Sequence, residues 1–226
     1  MRSDVGALEK KWLRLRSLVR HIRHVSFVDF VLVSGSMATG EATEESDFDL
    51  LVGARAGRIF TVRFFAAGLF EFLGVRRRSA DGKGKSRDKI CLNHFVTPQS
   101  YRLGEPHNEY WAYLYRHLMP IYGKKEAIEV FFDANTWANE PIYRGPSSIR
   151  REWSLISVVG EWLFGGRLGN WLEKRLKRYE VKRIERNLAS SLGYKPVVRY
   201  DDAELRFHTD TRRIEEWCLR NTLTKQ

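Results

Sequence analysis

The chain has 226 residues, 43% hydrophobic and 30% charged, with seven Trp and thirteen Phe. That excludes a disordered polypeptide, because so many rings become ordered only by burial, and it allows one domain with an appendage or two small domains. A formal net charge of +11 favours contact with a polyanion, whether RNA, DNA, nucleotides or an anionic lipid surface, without locating a site.

In chain order, Val5, Leu8, Trp12, Leu15, Val19 and Ile22 recur at three- and four-residue steps, which predicts a helix with Arg and Lys on its other face. Phe27 to Ser34 is short, β-branched and aromatic, and reads as a buried strand broken by Gly35, Ser36 and Gly40. Phe48 to Val52 reads as a second strand. Gly57 to Leu73 reads as a helix, with Gly74 as its stop. Val75 to Arg78 and Ile90 to Val96 are expected as strands flanking a polar loop. Together these elements describe an α/β (α+β) fold, a small mixed sheet covered by helices.

After Pro98 the pattern turns helical. Asn108 to Leu118 is an aromatic-rich helix ending before Pro120, and Lys124 to Phe132 is a shorter one. Ser147 is expected to cap a helix carrying Ile149, Trp153, Ile156 and Leu163. Gly165, Gly166 and Gly169 interrupt it, and a second helix carries Leu172, Leu176, Tyr179, Ile184 and Leu188. A boundary near Tyr101 to His107 would divide a core at 1–100 from a helical C-terminal region at 101–226.

The chemistry concentrates in Leu32 to Gly53, LVSGSMATGEATEESDFDLLVG. A Gly-Ser pair, Gly35-Ser36, is followed after ten residues by Asp47-Phe48-Asp49 in an apolar strand. Strand alternation puts Asp47 and Asp49 on one face, where two carboxylates repel and lose hydration. A bound Mg²⁺ or Mn²⁺ would remove that penalty, since hard cations prefer oxygen ligands. Gly35 at a strand end lets a phosphate approach the backbone, and Ser36 offers an N–H and a hydroxyl.

This stretch resembles the DNA polymerase β nucleotidyltransferase superfamily, and most of all its minimal nucleotidyltransferase subgroup. The resemblance is specific over Gly35 to Leu51 and looser over Val25 to Val96. It implies that Gly35 and Ser36 bind nucleotide phosphate, that Asp47 and Asp49 are catalytic and hold Mg²⁺ or Mn²⁺, and that an NTP, ATP in the first instance, is the substrate. Three positions depart from the pattern. Ser34 stands where an apolar residue is usual, and Thr39 where many minimal members have Arg. The third carboxylate expected on a later strand is absent from ICLNHFV, whose central polar residue is Asn93, leaving Asp88 as a substitute or the site without one. The reaction implied is attack on the α-phosphorus of an NTP with pyrophosphate release. The alternative is a catalytically silent module that binds nucleotide or nucleic acid. The acceptor and the oligomeric state stay open.

Other features have ordinary explanations beside functional ones. His94 and His208 fit structural roles better than catalytic ones. The rings of NEYWAYLY fit core packing better than base stacking. Arg76, Arg77, Arg78, Lys83, Lys85, Arg87 and Lys89 form either a solvated loop or a phosphate-binding arm beside the cleft. Lys174 to Arg186 is expected as a solvated basic face, with RNA or an anionic membrane as alternatives. Cys91 and Cys218 lack metal-ligand spacing and a CxxC partner, and read as buried reduced thiols of a cytoplasmic protein. Basic residues interrupt the N-terminal apolar stretches, so no signal peptide is expected, and Leu155 to Leu172 contains Glu161 and Arg167, so no transmembrane segment is expected.

Overall fold

The computed structural model describes residues 2–78, 81, 85–105, 107–138, 154–189, 197–208 and 217. In chain order the elements are α1 (Arg2–Val19), β1 (Val28–Ser34), α2 (Gly35–Thr39), β2 (Phe48–Ala54), α3 (Ile59–Phe72), β3 (Ile90–Val96), α4 (Glu109–Arg116), β4 (Met119–Gly123), α5 (Lys125–Asp133), α6 (Leu155–Phe164), α7 (Arg167–Ala189), β5 (Val197–Tyr200) and β6 (Glu204–His208). Among the described residues the strands form one mixed sheet in the order β4-β1-β2-β3-β6-β5. The β2–β3 pair is parallel and the other four pairs are antiparallel. A parallel neighbour needs a crossover, and α3 lies within it.

The sheet is buried on both faces, and β1 divides its side chains between them. Val31 and Val33 join a cluster with Leu15 of α1, Phe60 and Phe70 of α3 and Leu176 of α7. Phe30 and Leu32 join an opposite cluster with Trp111 and Tyr115 of α4 and Phe131 of α5. A strand covered on both sides reads as a continuous apolar run, which is why FVDFVLVS looks as it does. Burying each large apolar side chain contributes roughly 1.5–3 kcal/mol, so these two clusters supply the main favourable term of the fold.

Two expectations change. Val75 to Arg78 contributes only an isolated bridge, Arg76 to Ile90, instead of a strand. The Asp81 carboxylate accepts from the Arg78 N–H and turns the chain away. After residue 101 the chain is not helical alone, because β4, β5 and β6 join the same sheet. Pro120 hides β4 from a sequence reading. It sits on an edge strand, where a missing N–H is tolerated. The helix expected from Ser147 is described only from Leu155, and Ser147, Ile149, Trp153 and Cys218 lie outside the described residues. The glycine break expected after α6 stands at Gly165 and Gly166, while Gly169 lies inside α7.

Candidate active site

The site forms where β1 ends and β2 begins, because antiparallel pairing sets those points side by side. Ser34 is the register partner of Asp49. Phe48, Leu50 and Val52 belong to the α1/α3/α7 cluster, so alternation turns Asp49, with Leu51, toward the α4 side.

Gly35 opens α2 with φ of +63°, a left-handed conformation that glycine adopts without strain. A Cβ at Gly35 would overlap the Asp49 carboxylate, whose Cγ would be 3.2 Å away. The turn therefore requires glycine twice, for its dihedral angle and for the approach of Asp49. Gly40, also in the left-handed region, ends the short helix. Thr39 donates to Glu41, and the Tyr113 hydroxyl of α4 donates to the same carboxylate at 3.3 Å, so α4 borders the turn.

On the neighbouring parallel strand, Cys91 is the register partner of Asp49. One ligand atom each from Asp47, Asp49 and Cys91 lies within 4.8 Å of the others. Asn93, two residues further along the same face of β3, donates from Nδ2 to Asp49 Oδ1 at 3.1 Å. Arg77 donates to Asp47 Oδ2 at 2.6 Å and reaches Cys91 Sγ at 3.7 Å. Burial works against the Arg77 charge, but Asp47, Cys91 and Asp49 outweigh it and raise its pKa above the ordinary value. Burial, reinforced by the charges of Asp49 and Asp47, pushes the Cys91 thiol well above its usual range.

Asp88 stands apart from this group. Its carboxylate meets Lys11 Nζ at 2.6 Å and Arg14 Nε at 3.4 Å. Lys11 Nζ also donates to the carbonyls of Glu44 and Ser46, at 3.0 and 2.9 Å. One ammonium therefore ties α1 to the loop that leads into Asp47. Asp88 serves this clamp, and the β3 groups beside Asp49 are Cys91, its register partner, and Asn93. In the sequence Asn93 stands out as the polar centre of ICLNHFV, and Cys91 reads only as a buried thiol. The apolar run conceals that Cys91 and Asn93 share the face of Asp49, since only the β2–β3 register shows it.

The other candidates resolve as structure. His94, the register partner of Leu51, lies on the α4 side as well, but its ring is buried against Glu204 at 2.9 Å, and burial lowers its pKa. Trp111 and Tyr115 are buried core, stacked on one another. Of the basic run, Arg76 and Arg78 pair with Glu71, Arg87 with Glu44 and Lys89 with Asp81, while Arg77 reaches the carboxylates. The side chain of His208 and residues Lys83 and Gly84 lie outside the description.

A metal fits the chemistry of the donors in part. Asp47 and Asp49 offer the oxygen ligands a hard divalent cation takes. The third atom within reach, Cys91 Sγ, suits a softer ion, so the set is two-thirds of an oxygen site.

Residues 13–88 match the nucleotidyltransferase domain family. That match and the mixed sheet are consistent with a nucleotidyltransferase core of the polymerase β-like kind, in an α/β protein of six strands and seven α-helices among the described residues. The match ends two residues before β3, so the strand carrying Cys91 and Asn93 lies beyond it. Neither the curated proteins nor the solved structures gave a match. Among the described residues no helix is long and apolar enough to cross a membrane.

Proposed function

We propose that the chain is a metal-dependent nucleotidyltransferase that moves a nucleoside monophosphate from an NTP, ATP in the first instance, to a nucleophilic acceptor. The observation that carries this reading is the approach of Asp49 to Gly35, which joins the carboxylate pair to the turn that would receive phosphate. Asp47 and Asp49 would hold Mg²⁺ or Mn²⁺. When bound, that ion would neutralise the phosphates and stabilise charge developing at the α-phosphorus. The missing side chain of Gly35 lets the Asp49 carboxylate, and an ion it would hold, come up to the turn, where Ser36 would offer a phosphate its N–H and hydroxyl. Asn93 orients the Asp49 carboxylate through its amide. Arg77 holds Asp47 and provides a positive charge that an incoming triphosphate can share.

The test is titration of MnATP and a transfer assay with α-labelled ATP. Asp47→Ala and Asp49→Ala are each expected to abolish metal-dependent nucleotide binding and label transfer while leaving the circular dichroism spectrum unchanged. Unchanged affinity in both variants would remove these residues from the site.

A second reading, a silent module that binds nucleotide or nucleic acid, is favoured by one specific observation: Arg77 already neutralises Asp47, beside a Cys–Asn pair in place of the third acid. Under this reading Arg77→Gln gains Mn²⁺ affinity and no variant transfers label. Under the catalytic reading Arg77→Gln loses ATP affinity. RNA is one acceptor the basic surface would suit. In that case replacing Arg76, Arg77 and Arg78 by Gln weakens RNA binding and flattens its salt dependence together. A small-molecule acceptor predicts little response to the triple change.

A further inference from the structure

Helices α6 and α7, joined through Gly165 and Gly166, present an outer surface of unusual composition. Leu155, Ile156, Val159, Trp162, Leu168 and Trp171 are each more than half exposed, Leu155 and Trp162 at 84% and 81%. So many neighbouring exposed apolar side chains exceed what a solvated helix pair ordinarily carries. Arg167, Lys174, Arg175, Arg178, Lys182 and Arg186 are exposed along the same pair, and the Arg175 guanidinium lies over the Trp171 ring at 5.3 Å.

The acidic residues of the pair are turned the other way. Glu161 accepts from Arg55 at 2.7 Å and from the Phe27 N–H. Glu173 is buried at the start of α3, accepting from the Phe60 and Thr61 N–H groups. Glu180 is buried against Arg63. Glu185 alone is exposed among the four acids of these helices. Inward acids leave an outer face that is apolar at one end and positive along the rest.

We propose that this face docks on an anionic lipid bilayer, with α6 and the first turns of α7 in the interface and the α7 cations over the headgroups. Tryptophans and aliphatic side chains insert at the acyl boundary, and cations gain from anionic headgroups. The aliphatic side chains have nothing to offer a phosphodiester chain. A second copy would bring like charge against like, on a molecule of net charge +11. The helices lie on the surface rather than span it. Leu172 and Leu176 of α7 pack on the α1/α3 side of the sheet, so docking leaves the Asp49 side facing away from the bilayer.

The experiment is co-sedimentation of the full chain with vesicles of phosphatidylcholine alone and of phosphatidylcholine mixed with phosphatidylglycerol, read together with tryptophan emission. Binding is expected to the mixed vesicles only, with a blue shift. Ile156→Ser with Trp162→Ser should remove the shift and cut partitioning at least tenfold. Arg178→Gln with Lys182→Gln should weaken it by about fivefold per charge, an effect that salt erases. Circular dichroism and MnATP titration of the same variants are expected to be unchanged, so this proposal and the nucleotide site fail separately. Absence of binding to the mixed vesicles overturns it. So does a concentration-dependent dimer that disappears in the Ile156 and Trp162 variant, which would assign the face to a second copy.

Discussion

At Gly35 a single hydrogen atom in place of a side chain satisfies two constraints. The left-handed φ disfavours any other residue, and the Asp49 carboxylate occupies the space a Cβ would need. Gly35→Val should therefore eliminate nucleotide binding, whereas Ser36→Ala removes one hydrogen bond, roughly 0.5–1.5 kcal/mol, and weakens binding up to about tenfold. Titration with MnATP separates the two, and equal affinities would mean that the turn does not receive phosphate. Cys91 allows the reverse experiment. Replacing it with Asp places a third carboxylate opposite Asp49, so the variant should be less stable without metal, through like-charge repulsion, and should bind Mn²⁺ more tightly. Thermal unfolding with and without Mn²⁺ reads both effects, as a lower melting temperature alone and a larger rise on adding the ion. Spacing and strand alternation are enough to propose Gly35, Ser36, Asp47 and Asp49 from the sequence, and the register sets Gly35 against Asp49. The sequence presents Arg77 only as one of a basic run and Cys91 only as a buried thiol, because grouping them with the aspartates needs the pairing of β2 with β3 across a helix and a loop.

At the scale of elements, local patterns are legible and long-range partners are not. The start and stop of α3 follow from its apolar face and from Gly74, which has φ of +69°. The group that satisfies its first N–H donors comes from Glu173, more than a hundred residues away, through bonds of 2.8 Å to Phe60 and Thr61 and one of 2.5 Å from the Thr61 hydroxyl. Helix N-termini leave such donors without intrahelical partners, so this carboxylate caps α3 and fastens α7 to it. Glu173→Ala should cost at least about 1–3 kcal/mol in urea unfolding, since buried donors are left unsatisfied. Glu173→Gln, which keeps one acceptor oxygen, should recover part of that. The strands β5 and β6 were not legible at all. Their alternating, charged residues look like solvated chain until Leu205 and Glu204 are seen paired with Phe95 and Val96 of β3.

For the molecule as a whole, the far edge of the sheet depends on a buried charge network. Burial raises the pKa of Glu204, but its bonds to His94 and Arg199 and the charge of Arg206 outweigh that and bring it to about 2, from an ordinary value of 4.5. Burial lowers the pKa of His94 from 6.5. Both groups have folded-state values below their unfolded ones, so both contribute stability at neutral pH that is lost on acidification. Loss should begin as the pH falls through about 6.5, where the unfolded histidine takes up a proton, and continue from about 4.5 toward 2 as unfolded Glu204 does. Unfolding free energy measured across this range should fall in both windows. Glu204→Gln should shrink the lower one and destabilise the protein at neutral pH, because Arg199 and Arg206 lose a buried partner. A flat profile below pH 4.5 in the native chain would show that Glu204 is not held ionised.

The clamp at Lys11 has a bearing on where this fold can be cut. Its ammonium reaches Asp88 and two carbonyls of the loop entering Asp47, yet it precedes the first residue matched by the family. The matched stretch stops short of the mechanical edge of the unit, which lies at the last residue that bears on its centre. A chain begun at residue 13 would keep every residue proposed to touch nucleotide and lose the peg that sets the height of Asp47. It should retain its sheet, lose ordered approach of the two aspartates, and bind Mn²⁺ more weakly than the full chain. The single change Lys11→Met reproduces that weakening without shortening anything.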